Sequence, residues 1–122
     1  MGFEIGTHGI DHVYWTRLDR GALDAEITGS KRVLEGILAT KIQTVAIPFG
    51  NYNRSVLAAL KVAGYTKVYT SDPGFAYPGQ WQIPRWHYHS NELFDLDYFV
   101  HKSSLVSHRI VAEMKGLLKA LR

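Results

Sequence analysis

Short β-rich apolar runs alternate along this chain with longer stretches of helical periodicity. Phe3 to Ile5 is a brief apolar start that leads into Gly6-Thr7-His8-Gly9, predicting a short strand that ends in a loop. Leu23, Ile27, Val33, Leu34, Ile37 and Leu38 then recur near 3.6 spacing, so a helix with one apolar face is expected from about Arg20 to Ala39. Gln43 to Ile47 reads as a second strand that stops at Pro48-Phe49-Gly50, after which Asn51 to Asn53 offer caps for a helix through about Val62. Gly64 is placed to close that helix in a left-handed conformation, and Thr66 to Thr70 gives a third strand ending at Ser71-Asp72-Pro73-Gly74. Phe75 to Gln80 is a polar and aromatic loop before another short strand around Gln82 to Tyr88. Leu93, Leu96, Phe99, Val100, Ile110, Met114, Leu117, Leu118 and Leu121 predict one or two closing amphipathic helices.

Strands alternating with helices of this length predict βαβ units, a parallel sheet and the α/β class. In such sheets ligands bind beyond the carboxyl ends of the strands. The informative loops fall there: Thr7 to His12, Pro48 to Asn53, and Ser71 onward. No repeat or low-complexity tract interrupts the 122 residues, so one domain spanning 1–122 is expected.

Composition narrows the chemistry. Hydrophobic residues at 46% and charged residues at 20% are ordinary for a folded domain and exclude a disordered chain. Without cysteine there is neither a disulfide framework nor a zinc-thiolate site, which leaves histidine and carboxylate as metal ligands. The net charge of +3 gathers at the C-terminal end, where Lys102, Arg109, Lys115, Lys119 and Arg122 face only Glu113. Those cations suit the dipole and outer face of a last helix, so nucleic acid is not an expected partner. Neither a signal peptide nor a membrane span is legible, and a chain complete in itself would be cytoplasmic.

The sharpest motif is His8-Gly9-Ile10-Asp11-His12, two imidazoles four positions apart just past a short strand. A helical turn or a tight loop sets both rings on one side, where their nitrogens can converge on one metal. By itself the spacing more often marks a solvated pair in a capping loop.

Gly2 to His12 resembles the histidine motif of polysaccharide deacetylases, in which a Glu-Ile-Gly-like strand leads into His-x3-His. Ala46-Ile47-Pro48-Phe49-Gly50-Asn51-Tyr52 is similar to that family's Pro-Tyr/Phe-Gly loop. Val56 to Tyr65, followed by Val68-Tyr69-Thr70-Ser71, resembles its recurrent helix, Gly-Tyr and strand, and Ile83-Pro84-Arg85 its late Ile-Pro-Arg strand. The likeness spans about residues 2–88 with the elements in order, and the remainder from 92 reads as C-terminal helices. It implies a partial (β/α) barrel, covering roughly the later half of the family's domain, with parallel strands and a C-terminal helical segment.

The resemblance also implies an activity: metal-dependent hydrolysis of acetyl groups on N-acetylated sugars. His8 and His12 would be two ligands of a divalent metal, commonly zinc, and Pro48, Phe49 and Gly50 would hold the substrate, a backbone N–H of the loop serving the oxyanion. The third ligand and the general base are implied to be aspartates of an Asp-Asp strand preceding the histidines, so this chain is expected to lack them and to be weakly active or inactive alone. Asp11, a direct neighbour of His12, is read as a loop acid. Ala46 stands where the family often has arginine, and Arg85 is the candidate to supply that cation. Tyr98-Phe99-Val100-His101 gives His101 as candidate general acid, in a stretch that equally fits the final helix.

Trp15, Trp81, Trp86 and Tyr88 suit packing more than a sugar-stacking groove, and His87 or His89 is expected to face solvent. The competing functional reading is a non-catalytic carbohydrate- or metal-binding module built on the same fold. Unpaired strand edges in a partial barrel predict self-association, or pairing with a further segment.

Overall fold

The computed structural model describes residues 2–85 and 106–121. Asp19 opens the first helical stretch, its carboxylate accepting the Ala22 N–H as an N-cap. The stretch runs through α1 (Arg20–Asp24), a π turn (Ala25–Gly29) and α2 (Ser30–Leu38). It ends where Ala39 takes a left-handed conformation at φ 50°. Then follow β1 (Thr44–Ala46), α3 (Arg54–Val62), β2 (Lys67–Tyr69), β3 (Gln82–Ile83) and α4 (Val106–Leu121). Asn53 caps α3 by accepting the Val56 N–H, and Gly64 at φ 75° lets the chain leave α3 for β2, as the sequence predicts.

The three strands form a parallel sheet in the order β1-β2-β3, with Val45 beside Val68 and Val68 beside Gln82. The predicted strand at Phe3 to Ile5 does not form. Pairing with β1 begins only at Thr7, which makes one parallel bridge to Val45, its N–H bonding the Thr44 carbonyl and its carbonyl accepting from Ala46 N. Phe3, Glu4 and Ile5 lie exposed, and Glu4 is held by side chains instead, accepting from Lys67 Nζ and Thr44 Oγ1. Four neighbouring chain positions, Thr7, Val45, Val68 and Gln82, thus run in one direction in register. Their carboxyl ends carry His8, Phe49, Asp72 and Arg85.

Beneath them lies the core. Val45, Ile47 and Val68 from the strands pack with Trp15, Leu23 and Ile27 on one side of the chain and Val56, Leu57 and Leu60 of α3. The inward stripe of the first helical stretch is Leu23, Glu26, Ile27 and Ser30, all buried, with Leu34 partly covered. Val33, Ile37 and Leu38 were expected on the same apolar face but stay exposed, because periodicity fixes a face and not what packs on it. The strand around Gln82 reaches Ile83, and its predicted continuation to Tyr88 lies outside the described residues. So do Trp86, His87, His89 and the helix predicted from Leu93, apart from α4.

Candidate functional site

Thr7 ends its bridge at the edge of β1, and the chain turns sharply through Gly9 at φ 85° and His12 at φ 51°. This turn brings the two imidazoles together, ring centroids 4.8 Å apart, on an exposed surface. His8 Nδ1 lies 2.8 Å from the Ala46 carbonyl oxygen at the end of β1. A carbonyl only accepts, so Nδ1 carries a proton, and in the neutral ring the lone pair is then on Nε2, the arrangement that a metal-binding histidine uses.

Side chains, rather than a ladder, hold the turn. Ile10 N donates to Glu26 Oε2 at 3.0 Å and Asp11 N to Glu26 Oε1 at 3.1 Å, while Gly9 N donates to Thr7 Oγ1 at 3.2 Å. Thr7 Oγ1 in turn shares a 2.8 Å hydrogen bond with Ser30 Oγ, which also donates to the Ile27 carbonyl. The Trp15 indole N–H reaches Glu26 Oε2 at 3.3 Å from a fully buried ring. Trp15 is therefore core packing, and Trp81, whose N–H donates to the Tyr65 carbonyl at 2.7 Å, packs against the core as well.

Pro48, Phe49 and Gly50 form a tight 3-10 turn beyond β1, closed by Gly50 N to Ile47 O and Asn51 N to Pro48 O. Neither bond uses the Phe49 N–H. Phe49 sits at φ 57°, a left-handed conformation that costs a non-glycine residue about 1–3 kcal/mol. Its ring stacks on Tyr14 at 4.3 Å and lies tilted against His12 at 4.4 Å. The Arg17 guanidinium lies over the Tyr14 ring at 4.5 Å, and Thr16 donates to Asn51 at 2.8 Å, so the histidine loop and the Pro48–Gly50 turn are fastened to one another.

Of the residues singled out from sequence, His8, His12 and Phe49 come together. Pro48 and Gly50 are buried supports of the same turn. Arg85 bonds elsewhere: its Nε donates to the Thr70 carbonyl at 2.9 Å and its guanidinium lies 5.7 Å from the Tyr69 ring centroid. Asp11 is exposed and contributes its backbone N–H. His101 lies outside the described residues. Among the described residues, no group of three or more histidines and carboxylates gathers to hold a metal. The pair therefore fits two positions of a tetrahedral ligand set.

Sequence reasoning passed over Glu26 and Tyr14. Glu26 carried a signal, a carboxylate on the stripe otherwise formed by Leu23, Ile27 and Leu34. Among the described residues three clefts lie away from the pair, one of about 390 Å³ lined by Tyr52, Asp72, Phe75, Tyr77 and Leu117, one of about 340 Å³ lined by Glu4, Leu38 and Thr44, and one of about 800 Å³ beside Leu23, Ala58 and Val62.

A family model described as polysaccharide deacetylase matches residues 1–68. A Bacillus subtilis protein named as a polysaccharide deacetylase, YxkH, is 29% identical over 75 residues, 62% of this chain and 27% of that protein. Two solved structures named as polysaccharide deacetylases share the fold with a TM-score of 0.63: BC0361 from Bacillus cereus, 21% identical, and BA0330 from Bacillus anthracis, 22% identical. Each match covers 81% of this chain and 31% of the solved one, so this chain spans less than a third of the length of these relatives.

Proposed function

The chain belongs to the polysaccharide deacetylase family, and from that premise we propose that it serves the hydrolysis of acetyl groups on N-acetylated sugars of a polysaccharide, with His8 and His12 as ligands of a divalent metal, zinc foremost. The observation that carries this reading is the closeness of the two imidazoles beside a left-handed Phe49, at the carboxyl end of β1 and of the Thr7 bridge next to it. Zinc, when bound, lowers the pKa of its water and polarises an amide carbonyl.

The chain's own residues do the rest. Ala46 fixes the His8 ring through Nδ1 and leaves Nε2 for ligation. Phe49 presents a backbone N–H that its turn leaves unused, a donor for the oxyanion that develops as the acetamide is attacked. Its ring shields one side of His12 from water. Arg85 braces the ends of β2 and β3 in the described arrangement, and an orienting role requires it to leave the Thr70 carbonyl. His101 remains the proposed general acid. A general base typically contributes ~10²–10⁴ in rate. The aspartate base and third ligand implied by the family are proposed to come from a further segment, a second copy or another chain, so that this chain alone turns over slowly.

Acetate release from an N-acetylglucosamine oligomer, with and without added zinc, tests the proposal. Slow release that needs metal and vanishes in a His8→Ala, His12→Ala double variant is expected; release that ignores both changes would overturn it. The two-histidine ligand set also favours a second reading, a carbohydrate- or metal-binding module without hydrolysis. That module would retain the oligomer in a binding assay and release no acetate at any zinc concentration.

A further inference from the structure

Building on the reading of His8 and His12 as ligands, we propose that Glu26 is the positioning residue that keeps the two imidazoles converged, acting through the backbone of the loop between them. Three residues separate the histidines, and all three of their N–H groups are committed to side chains: Gly9 to Thr7, Ile10 and Asp11 to the two oxygens of Glu26. One carboxylate thus holds two of the three. It comes from the π turn of the first helical stretch, 5% exposed and steadied by the Trp15 indole N–H.

The contact is close enough to dictate sequence. A Cβ on Gly9 would lie 2.5 Å from Glu26 Oε2 and 3.3 Å from the Trp15 ring, at a φ of 85° that side chains disfavour. Gly9 is therefore where the loop backbone lies down against the carboxylate. Hydrogen bonds to an ionised acceptor are roughly twice as strong as neutral ones. They are the force that offsets the left-handed backbone of His12, at φ 51°. Without Glu26 the Ile10 and Asp11 N–H groups turn to water, His12 relaxes toward an ordinary conformation, and its ring leaves His8.

The role is distinguishable from plain core stability. In metal-free protein, nuclear Overhauser contacts between the His8 and His12 ring protons report convergence directly, and calorimetric zinc titration reports ligation. Glu26→Gln keeps the shape and replaces one acceptor oxygen by a donor; Glu26→Ala removes both. Val56→Ala truncates a buried side chain of α3 and controls for lost stability. The ring contacts should weaken in Glu26→Gln, vanish in Glu26→Ala and persist in Val56→Ala. Zinc affinity should fall about 10–100-fold in the Glu26 variants, the loss typical of removing a group that orients a ligand. Glu26 variants that keep both signals would overturn the proposal, as would an equal loss in Val56→Ala. Should Glu26→Ala fail to fold, Glu26→Gln decides. Should the unsubstituted protein bind no zinc, the ligand reading fails, and the ring contacts still decide the role of Glu26.

Discussion

The imidazole Nδ1 of His8 and the carbonyl oxygen of Ala46 stand 2.8 Å apart, joining the first strand position to the end of β1. That bond fixes which nitrogen of His8 can meet a metal, and His12 supplies the second ring at 4.8 Å. Two protein ligands bind zinc more weakly than three or four. We expect calorimetry to give weak affinity, each single alanine substitution at His8 or His12 to weaken it at least about tenfold, and the double variant to abolish it. Unchanged binding in the double variant would put the metal elsewhere.

Gly50 carries a second prediction. Its φ is 58°, and an added Cβ would lie 2.3 Å from Ser71 Cβ and 2.5 Å from Ser71 Oγ. Gly50→Ala therefore meets backbone strain and overlap together, a cost of roughly 2–4 kcal/mol in urea unfolding. Adding Ser71→Gly should recover most of the overlap and leave the strain together with the 3.0 Å approach to the Ser71 backbone nitrogen. A Gly50→Ala chain as stable as the original would mean the turn repacks without cost.

Where periodicity and capping decide structure, the sequence was readable. Leu23 and Ile27 marked the first helix, Asn53 and Gly64 bracketed α3, and Val45 and Val68 marked buried parallel strands. The closeness of His8 and His12 was readable from their spacing, although the strand expected before them does not form. Phe3 to Ile5 misled because an apolar alternation says nothing about whether a ladder partner begins three residues later, at Thr7. Val33 and Ile37 misled because periodicity fixes a face, and whether anything covers that face is a tertiary matter. Glu26 and Tyr14 went unread for another reason: their partners, Ile10 and Asp11 for one and Phe49 for the other, are 15 to 35 residues away along the chain. Such polar and stacking contacts leave no periodic trace.

Glu4 and Lys67 give a pH dependence. Lys67 Nζ sits 2.8 Å and 3.0 Å from the two Glu4 oxygens. That hydrogen bond first, then the one from Thr44, holds the Glu4 pKa below its ordinary 4.5. The same contact holds Lys67 above 10.5. For a depressed carboxylate the contribution is present above the unfolded value and lost as pH falls through the lower folded one. For a raised ammonium it is present below the unfolded value and lost as pH rises through the higher folded one. The Tm gap between the chain and Glu4→Gln should thus be flat at neutral pH, close below about pH 4.5 and above about pH 10.5, and shrink in salt because both groups are exposed. A gap that widens in acid would sink this assignment.

The last prediction concerns how α4 is tied to the strand ends. Asp72, 8% exposed, accepts from the Tyr52 hydroxyl at 2.6 Å and from Lys119 Nζ, which also donates to the Gly50 carbonyl at 3.2 Å. Burial, and then the bond to Asp72, push the Tyr52 phenol well above its ordinary range. Lys119→Met leaves the carboxylate with its phenol partner alone, while Asp72→Asn leaves the ammonium with the Gly50 carbonyl. A hydrogen bond between charged groups is worth about 1.5–3 kcal/mol, and the 35% exposure of the lysine side chain discounts it. Each single substitution should cost about 1–2 kcal/mol and the double variant less than their sum, with a coupling near 1 kcal/mol in a double-mutant cycle. Limited proteolysis should cut near α4 faster in both singles, because Lys119 is where the helix is bound to the Gly50 turn and to Asp72 together. Strictly additive losses would mean that the two charges do not share a bond and that α4 is held by apolar contacts such as that of Ala120 with the core.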